Sequence, residues 1–542
     1  MNAYAVLLIA LAAYLTVVLV GRRAGIWKKL DVTFYGPVMV LRTRRGRALM
    51  KKAASPGRFW RAYGTLAVIV TVAGMVAIFI FIVWQALNPG HWFLDSQNQL
   101  TPPHTDATLL FVYMILGLGL AVLVHEFVHG ILAVVGEVPI ESMGILLLLL
   151  PIGAFVEPND PVLKKASRRT KLRLYASGPA TNIVLSIIFA LFLILFLAPS
   201  ATPAEPQGAV VIGVAGNSPG AISGIAEWSE ITSVEGVGVS NAAAFNSLSF
   251  EEPGGLVSVN LTYEARARYM ALPGGIAATE VPDGPARNAG IRPGMIISKL
   301  DGTVIRSVAD LASTAENATH ERPVNITVLQ FTGENVAGIG WFLENPHITK
   351  VNLTSKWLYY FTHYPSLNKD EYRNQSALGV IATPLGLTVV DPKVPIAGVA
   401  HPFAGVKDLP SMARASAGFF GQPFLGYSPV EGPITDLYEP SGILAPVPHD
   451  IYWLLVNIFY WAFWTNIVLG ITNALPIIPM DGGLVLGDLL KGLAHRSAER
   501  LTGFDMAIGR RPITDKQIDQ VMIGVTVLVS VLLIYLLLLR AL

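Results

Sequence analysis

The stretch Leu120-Ala-Val-Leu-Val-His-Glu-Phe-Val-His-Gly-Ile-Leu-Ala-Val-Val135 sets three polar side chains inside an otherwise apolar run. The run reaches back to Leu109, long enough to cross a hydrocarbon core of about 30 Å as a helix. On such a helix His125 and His129 stand one turn apart on one face, about 5–6 Å between Cβ atoms, which suits two ligands of a single metal ion. Glu126 lies beside them and can take a proton from water at that metal. His and Glu are costly in hydrocarbon, face the bundle interior and mark function. A buried polar cluster that only joins helices is the blander reading of the same residues.

The whole chain fits a membrane setting. Of its 542 residues, 52% are hydrophobic and only 14% charged, well below the roughly 25% charged of a soluble protein. A net charge of +2 gives no sign of a nucleic-acid partner. Cysteine is absent, so any metal must be held by His nitrogen and carboxylate oxygen. Six stretches read as spans: Ala3–Val20, Gly64–Leu87, Leu109–Val135, Leu174–Leu197, Ile451–Leu475 and Val521–Leu539. The first is followed, not preceded, by Arg22, Arg23, Lys28 and Lys29, and reads as an anchor rather than a signal peptide. Twelve Lys or Arg against one acid between Gly21 and Arg61, and none of either base from Pro89 to Ala107, orient the chain. Basic clusters before the fourth and sixth spans fall on the same, inner side if there are six. The region from about 200 to 450 is then outside. The apolar run Gly144–Pro151 is too short to span and reads as a re-entrant element packed under protein.

A catalytic zinc needs a third ligand and an open position. Asp481 is the candidate, in Asn473-Ala-Leu-Pro-Ile-Ile-Pro-Met-Asp-Gly-Gly483 at the inner end of the fifth span. The prolines and glycines around it unwind a helix, and the orientation puts it at the depth of His125 and His129.

Outside the membrane the chain repeats itself at an offset of 66 positions. Ser218-Pro-Gly-Ala-Ile-Ser-Gly-Ile225 aligns with Gly284-Pro-Ala-Arg-Asn-Ala-Gly-Ile291, and Ile231–Gly236 with Ile297–Gly302. The pattern resembles two PDZ domains, which bind extended peptides by adding a strand to a sheet edge. A duplicated β spacer is the alternative.

Together these motifs resemble the site-2 protease family of intramembrane zinc proteases. That family pairs His-Glu-x-x-His with a later Asn-x-x-Pro and Asp-Gly motif, here Asn473, Pro476, Asp481 and Gly482, with Met480 where Leu is usual. Gly178, Pro179 and Asn182 match its Gly-Pro-x-x-Asn pattern; from the residues alone they read as a kink and a helix-packing hydrogen bond. The resemblance implies a polytopic α-helical membrane protein of about six spans with extracytoplasmic α/β PDZ-like domains, set in the cell membrane. The expected division is 1–107 N-terminal helices with a basic loop, 108–200 core helices, 201–272 and 273–340 PDZ-like domains, 341–450 unassigned, 451–490 the Asp-Gly core helix and 491–542 the last span. It further implies one Zn2+ per chain on His125, His129 and Asp481, with Glu126 as base. Substrates are transmembrane proteins, held near Gly153, Phe155, Asn182, Asn473 and Pro476 and docked by a peptide terminus or strand at the PDZ-like pair. A prenyl-protein type of membrane protease and a non-enzymatic PDZ scaffold with a vestigial metal site are the alternatives. Asp481-Gly speaks against the first and the intact Glu126 against the second.

Overall fold

The computed structural model describes residues 3–541 except 30–31, 44–45, 88–106, 149, 206, 319–321, 333–341, 344–345, 364–367, 397–400, 405, 409–410, 413–414, 417–418, 420–431 and 501–512. Among the described residues five helices are long and apolar enough to cross a membrane: Gly57–Leu87, Val112–Val135, Arg168–Ser200, His449–Ala474 and Asp515–Leu538. The first expected span also folds as a helix, Ala3–Arg23, of 21 residues. In chain order the long helices are α1 (Ala3–Arg23), α2 (Gly57–Leu87), α3 (Ala107–Val135), α4 (Arg168–Phe192), α5 (His449–Ala474), α6 (Asp481–Arg500) and α7 (Asp515–Ala541). Residues 89–106 of the base-free loop lie outside the described residues.

Helix α4 is the hub. Ser167 caps its start by accepting from the Thr170 amide, and it packs on α2, α3, α5 and α6. Lipid tails are as apolar as leucine, so helix association here rests on close contact and hydrogen bonds rather than on burial from water. Glycine supplies the closeness. A Cβ at Gly470 of α5 would stand 3.0 Å from Pro179 O and 2.9 Å from the Ile183 side chain on α4. One at Gly117 of α3 would stand 3.0 Å from Trp461 O on α5.

The run at 144–151 belongs to a hairpin of two strands, β3 (Ile140–Leu148) and β4 (Leu150–Pro158). Its cover comes from a place the hydropathy pattern did not suggest. The basic segment expected as a plain loop folds into β1 (Val32–Tyr35) and β2 (Val38–Thr43), giving an antiparallel sheet in the order β1-β2-β3-β4. Arg42 of β2 bridges to Glu157 of β4 at 3.2 Å. One edge of β4 stays outside this ladder and packs toward α3.

The outer strands are β5 (Ala201–Pro203), β6 (Ala209–Val214), β7 (Glu230–Val234), β8 (Leu256–Tyr263), β9 (Arg266–Pro273), β10 (Ile276–Glu280), β11 (Ile296–Leu300), β12 (Val324–Leu329), β13 (His347–Val351), β14 (Ile381–Pro384), β15 (Leu387–Val390) and β16 (Tyr438–Pro440). Ten of them form two sheets, β9-β8-β7-β6-β15 and β13-β12-β11-β10-β14, each with one further two-residue strand. The 66-residue repeat is visible as β6 with β10 and β7 with β11. The expected boundary at 340 separates β12 from β13, its partner in the ladder. It also separates both sheets from their last strands, β14 and β15. These come from one ten-residue stretch within the segment that had no assigned fold. The Gly220 amide donates to Leu385 O, and at the position 66 residues on the Ala286 amide donates to Leu378 O. So Leu378-Gly379 and Leu385-Gly386 play matching parts seven residues apart, both glycines at positive φ (73° and 71°). Strand pairing of β5 with β16 brings the chain back to the membrane. There Val210 and Trp228 pack with Tyr438, Tyr452 and Trp453, seating the first sheet on α5.

Candidate metal centre

His125 and His129 project from α3 with only 5% and 8% of their surface exposed. Asp481 is the first residue of α6, so its carboxylate lies where a helix N-terminus favours negative charge. The turn that puts it there needs two glycines. A Cβ on Gly482 would overlap Ala474 O, and one on Gly483 would stand 2.5 Å from Ile477 O. Proline and glycine thus end α5 at Ala474 and restart the helix at Asp481, as the residue pattern leads one to expect.

The three side chains meet at their ligand atoms. Asp481 Oδ2 lies 3.1 Å from His125 Nε2 and 3.2 Å from His129 Nε2, and the two nitrogens are 3.1 Å apart. Four ligands at about 2.0–2.1 Å around a tetrahedral zinc stand roughly 3.3 Å from one another. The triangle therefore has the size of three corners of such a site, and among the described residues it is the one group of this kind. The donor set also fits, with two nitrogens and one oxygen and no thiolate.

His129 is fixed from behind. Its Nδ1 lies 2.8 Å from Leu174 O on α4, an acceptor, so Nδ1 carries the proton and the Nε2 lone pair faces Asp481. Ser177 Oγ donates to the same carbonyl at 2.7 Å. Sequence reasoning had no signal for either contact, because a carbonyl acceptor can belong to any residue. Glu126 faces another element. The Val156 amide of β4 donates to Glu126 Oε2 at 3.0 Å. The N–H and C=O of Val156 therefore point away from β3, and by alternation so do those of Ala154, while Gly153 and Phe155 turn theirs toward β3. The open edge expected around Gly153 and Phe155 is thus presented by Ala154 and Val156. The other expected substrate residues are spread out. Asn182 is wholly buried and donates to Ala121 O on α3 at 3.3 Å, a helix-packing contact. Asn473 donates to Leu469 O of its own helix at 3.1 Å, and Pro476 is buried in the α5–α6 turn.

The profile of Peptidase family M50, the site-2 protease family, matches residues 113–508. The chain belongs to that family. Its matched region begins within the histidine helix and ends beyond Asp481, so His125, His129 and Asp481 all fall inside it. The M50 chain is 28% identical over 166 residues to an uncharacterized protein of Methanocaldococcus jannaschii, covering 29% of this chain and 43% of that one. It is also 37% identical over 76 residues to a probable periplasmic serine endoprotease, DegP-like, of Ectopseudomonas mendocina, covering 14% of this chain and 16% of that one. A DegP-like protein of Pseudomonas putida matches over 76 residues at 36%. The chain thus spans less than half the length of these relatives.

Proposed function

We propose that this M50 protein is an intramembrane zinc endopeptidase that cleaves membrane-spanning segments of other proteins. The observation that supports it most is the convergence of His125, His129 and Asp481, at 3.1–3.2 Å, from two helices that the chain separates by some 350 positions. Zinc on these three residues would supply a Lewis acid for the scissile carbonyl and activate water for attack. The residues themselves do the remainder. Leu174 O holds the imidazole of His129 in the tautomer that offers Nε2. Glu126, next to the ligands and outside the ligand set, accepts the proton of the attacking water and returns it to the leaving amine. A substrate helix hides its carbonyls, so it must unwind locally, and the outward groups of Ala154 and Val156 suit an added substrate strand. We read the two outer sheets as a PDZ-like pair that selects substrates by an extended terminus or strand. The 66-residue repeat favours that reading.

The test is metal analysis of the detergent-purified chain together with cleavage of a membrane-anchored reporter. One zinc per chain and proteolysis abolished by a chelator, restored by zinc, are expected. Zinc-free protein that still cuts the reporter would overturn the reading.

A further inference from the structure

We infer that Gly178 of α4 is a positioning residue for the metal centre: its lack of a side chain is what lets His125 and His129 point their Nε2 atoms at one ion. This rests on the zinc reading above and names a residue that holds no metal itself.

A Cβ built on Gly178 would stand 2.6 Å from both Cε1 and Nε2 of His125, and closer still to Nε2 of His129. Ordinary carbon contacts begin near 3.5 Å, so a methyl group and the two rings cannot occupy this space together. One of them has to move by about 1 Å, and a shift of that size takes the nitrogens out of the triangle. The helix cannot retreat. On an adjoining face Gly470 brings the α5 backbone against Pro179 O and Ile183, on another Thr71 of α2 donates to Ala176 O at 2.9 Å, and Ala176, Ser177 and Gly178 are buried. Nor can His129 swing away, because Leu174 O on the same helix holds Nδ1 at 2.8 Å. Helix α4 thus touches the pair twice within one turn. It fixes the tautomer of one ring through Leu174 and sets the distance between helix and rings through Gly178. Alanine is a better helix former than glycine, so the glycine is not there for the helix's own sake.

The experiment is Gly178→Ala in the full-length chain, with Gly119→Ala as the matched control. Gly119 also lies in a membrane helix, and nothing stands within 4 Å of its Cβ position. Zinc per chain is measured by elemental analysis, and cobalt titration followed by visible absorption reports ligand geometry. The wild type and Gly119→Ala should each hold one ion. Gly178→Ala should hold less than a tenth, or bind cobalt at least 100-fold more weakly with an altered spectrum. Equal zinc and an unchanged cobalt spectrum in Gly178→Ala overturn the inference while leaving the zinc reading intact. A wild type without metal overturns both. If Gly178→Ala does not fold, it is placed in a His125→Ala/His129→Ala background, which removes the two rings. Recovery of folded protein there supports the inference; failure there shows that the methyl collides with something else and overturns it.

Discussion

Glu126 and Asp481 illustrate how differently two carboxylates behave within one site. Asp481 touches both histidine nitrogens, whereas Glu126 is turned to the Val156 amide of β4. Replacing them should therefore separate binding from chemistry. Glu126→Gln is expected to keep zinc near one per chain and to lower cleavage by about 10²–10⁴-fold, the usual worth of a general base. A cleavage rate within a factor of three of wild type would remove Glu126 from the mechanism. Asp481→Asn is expected to lose the metal itself, since a neutral amide oxygen replaces the one charged ligand. Retained zinc in Asp481→Asn would show that another group completes the site.

At the scale of elements, the ten residues from Ile381 to Val390 do more than their length suggests. They end both outer sheets, β14 on β10 and β15 on β6. The turn between them is set by Leu385 and Gly386, both at positive φ, and the Leu385 amide donates to Gly275 O of the second repeat. Gly386 also backs onto Ser218 of the first repeat, leaving no room for a Cβ. Gly386→Ala should destabilise this region by roughly 1–3 kcal/mol, and the loss should be shared. Hydrogen exchange should quicken in β6 and in β10 together. Faster exchange confined to β6 and β15 would show that the two sheets open independently, against a common staple.

For the whole molecule, the positive-inside rule predicts that the outer sheets lie on the side opposite α6. Cysteines introduced at exposed Glu235 and Ser313 should react with an impermeant thiol reagent in intact cells, and one at exposed Ser497 should not. Ser218 is unsuited to this test because it is buried and caps a short helix. Labelling at Ser497 alone would invert the topology. The stem β5–β16 also gives a clean place to remove the outer region. Pro203 pairs with Tyr438, so a short Gly/Ser turn can replace 205–436. That variant should keep zinc and cut a short substrate while losing its preference for short over long ones, at the cost of exposing Tyr438 and Trp453 to water. Unchanged preference would reduce the outer sheets to a spacer.

What the sequence determined by itself is whatever one segment carries alone. Hydropathy over about 20 residues places α2, α3, α4, α5 and α7, because each must satisfy its own backbone in lipid. The four-residue spacing of His125 and His129 is a property of one helix. Glycine and proline around Asp481 announce the break between α5 and α6. The 66-residue repeat is legible because it is written twice. The tertiary structure decided what depends on backbone groups and on distant partners. Leu174 O and the Val156 amide act on His129 and Glu126 through backbone atoms, which carry no residue-specific signal. Strands β1 and β2 lie in a basic segment whose charges announce orientation and hide its pairing with β3. Strands β14 and β15 close sheets begun more than 100 residues earlier, and a strand of four residues declares no partner until a free edge is beside it.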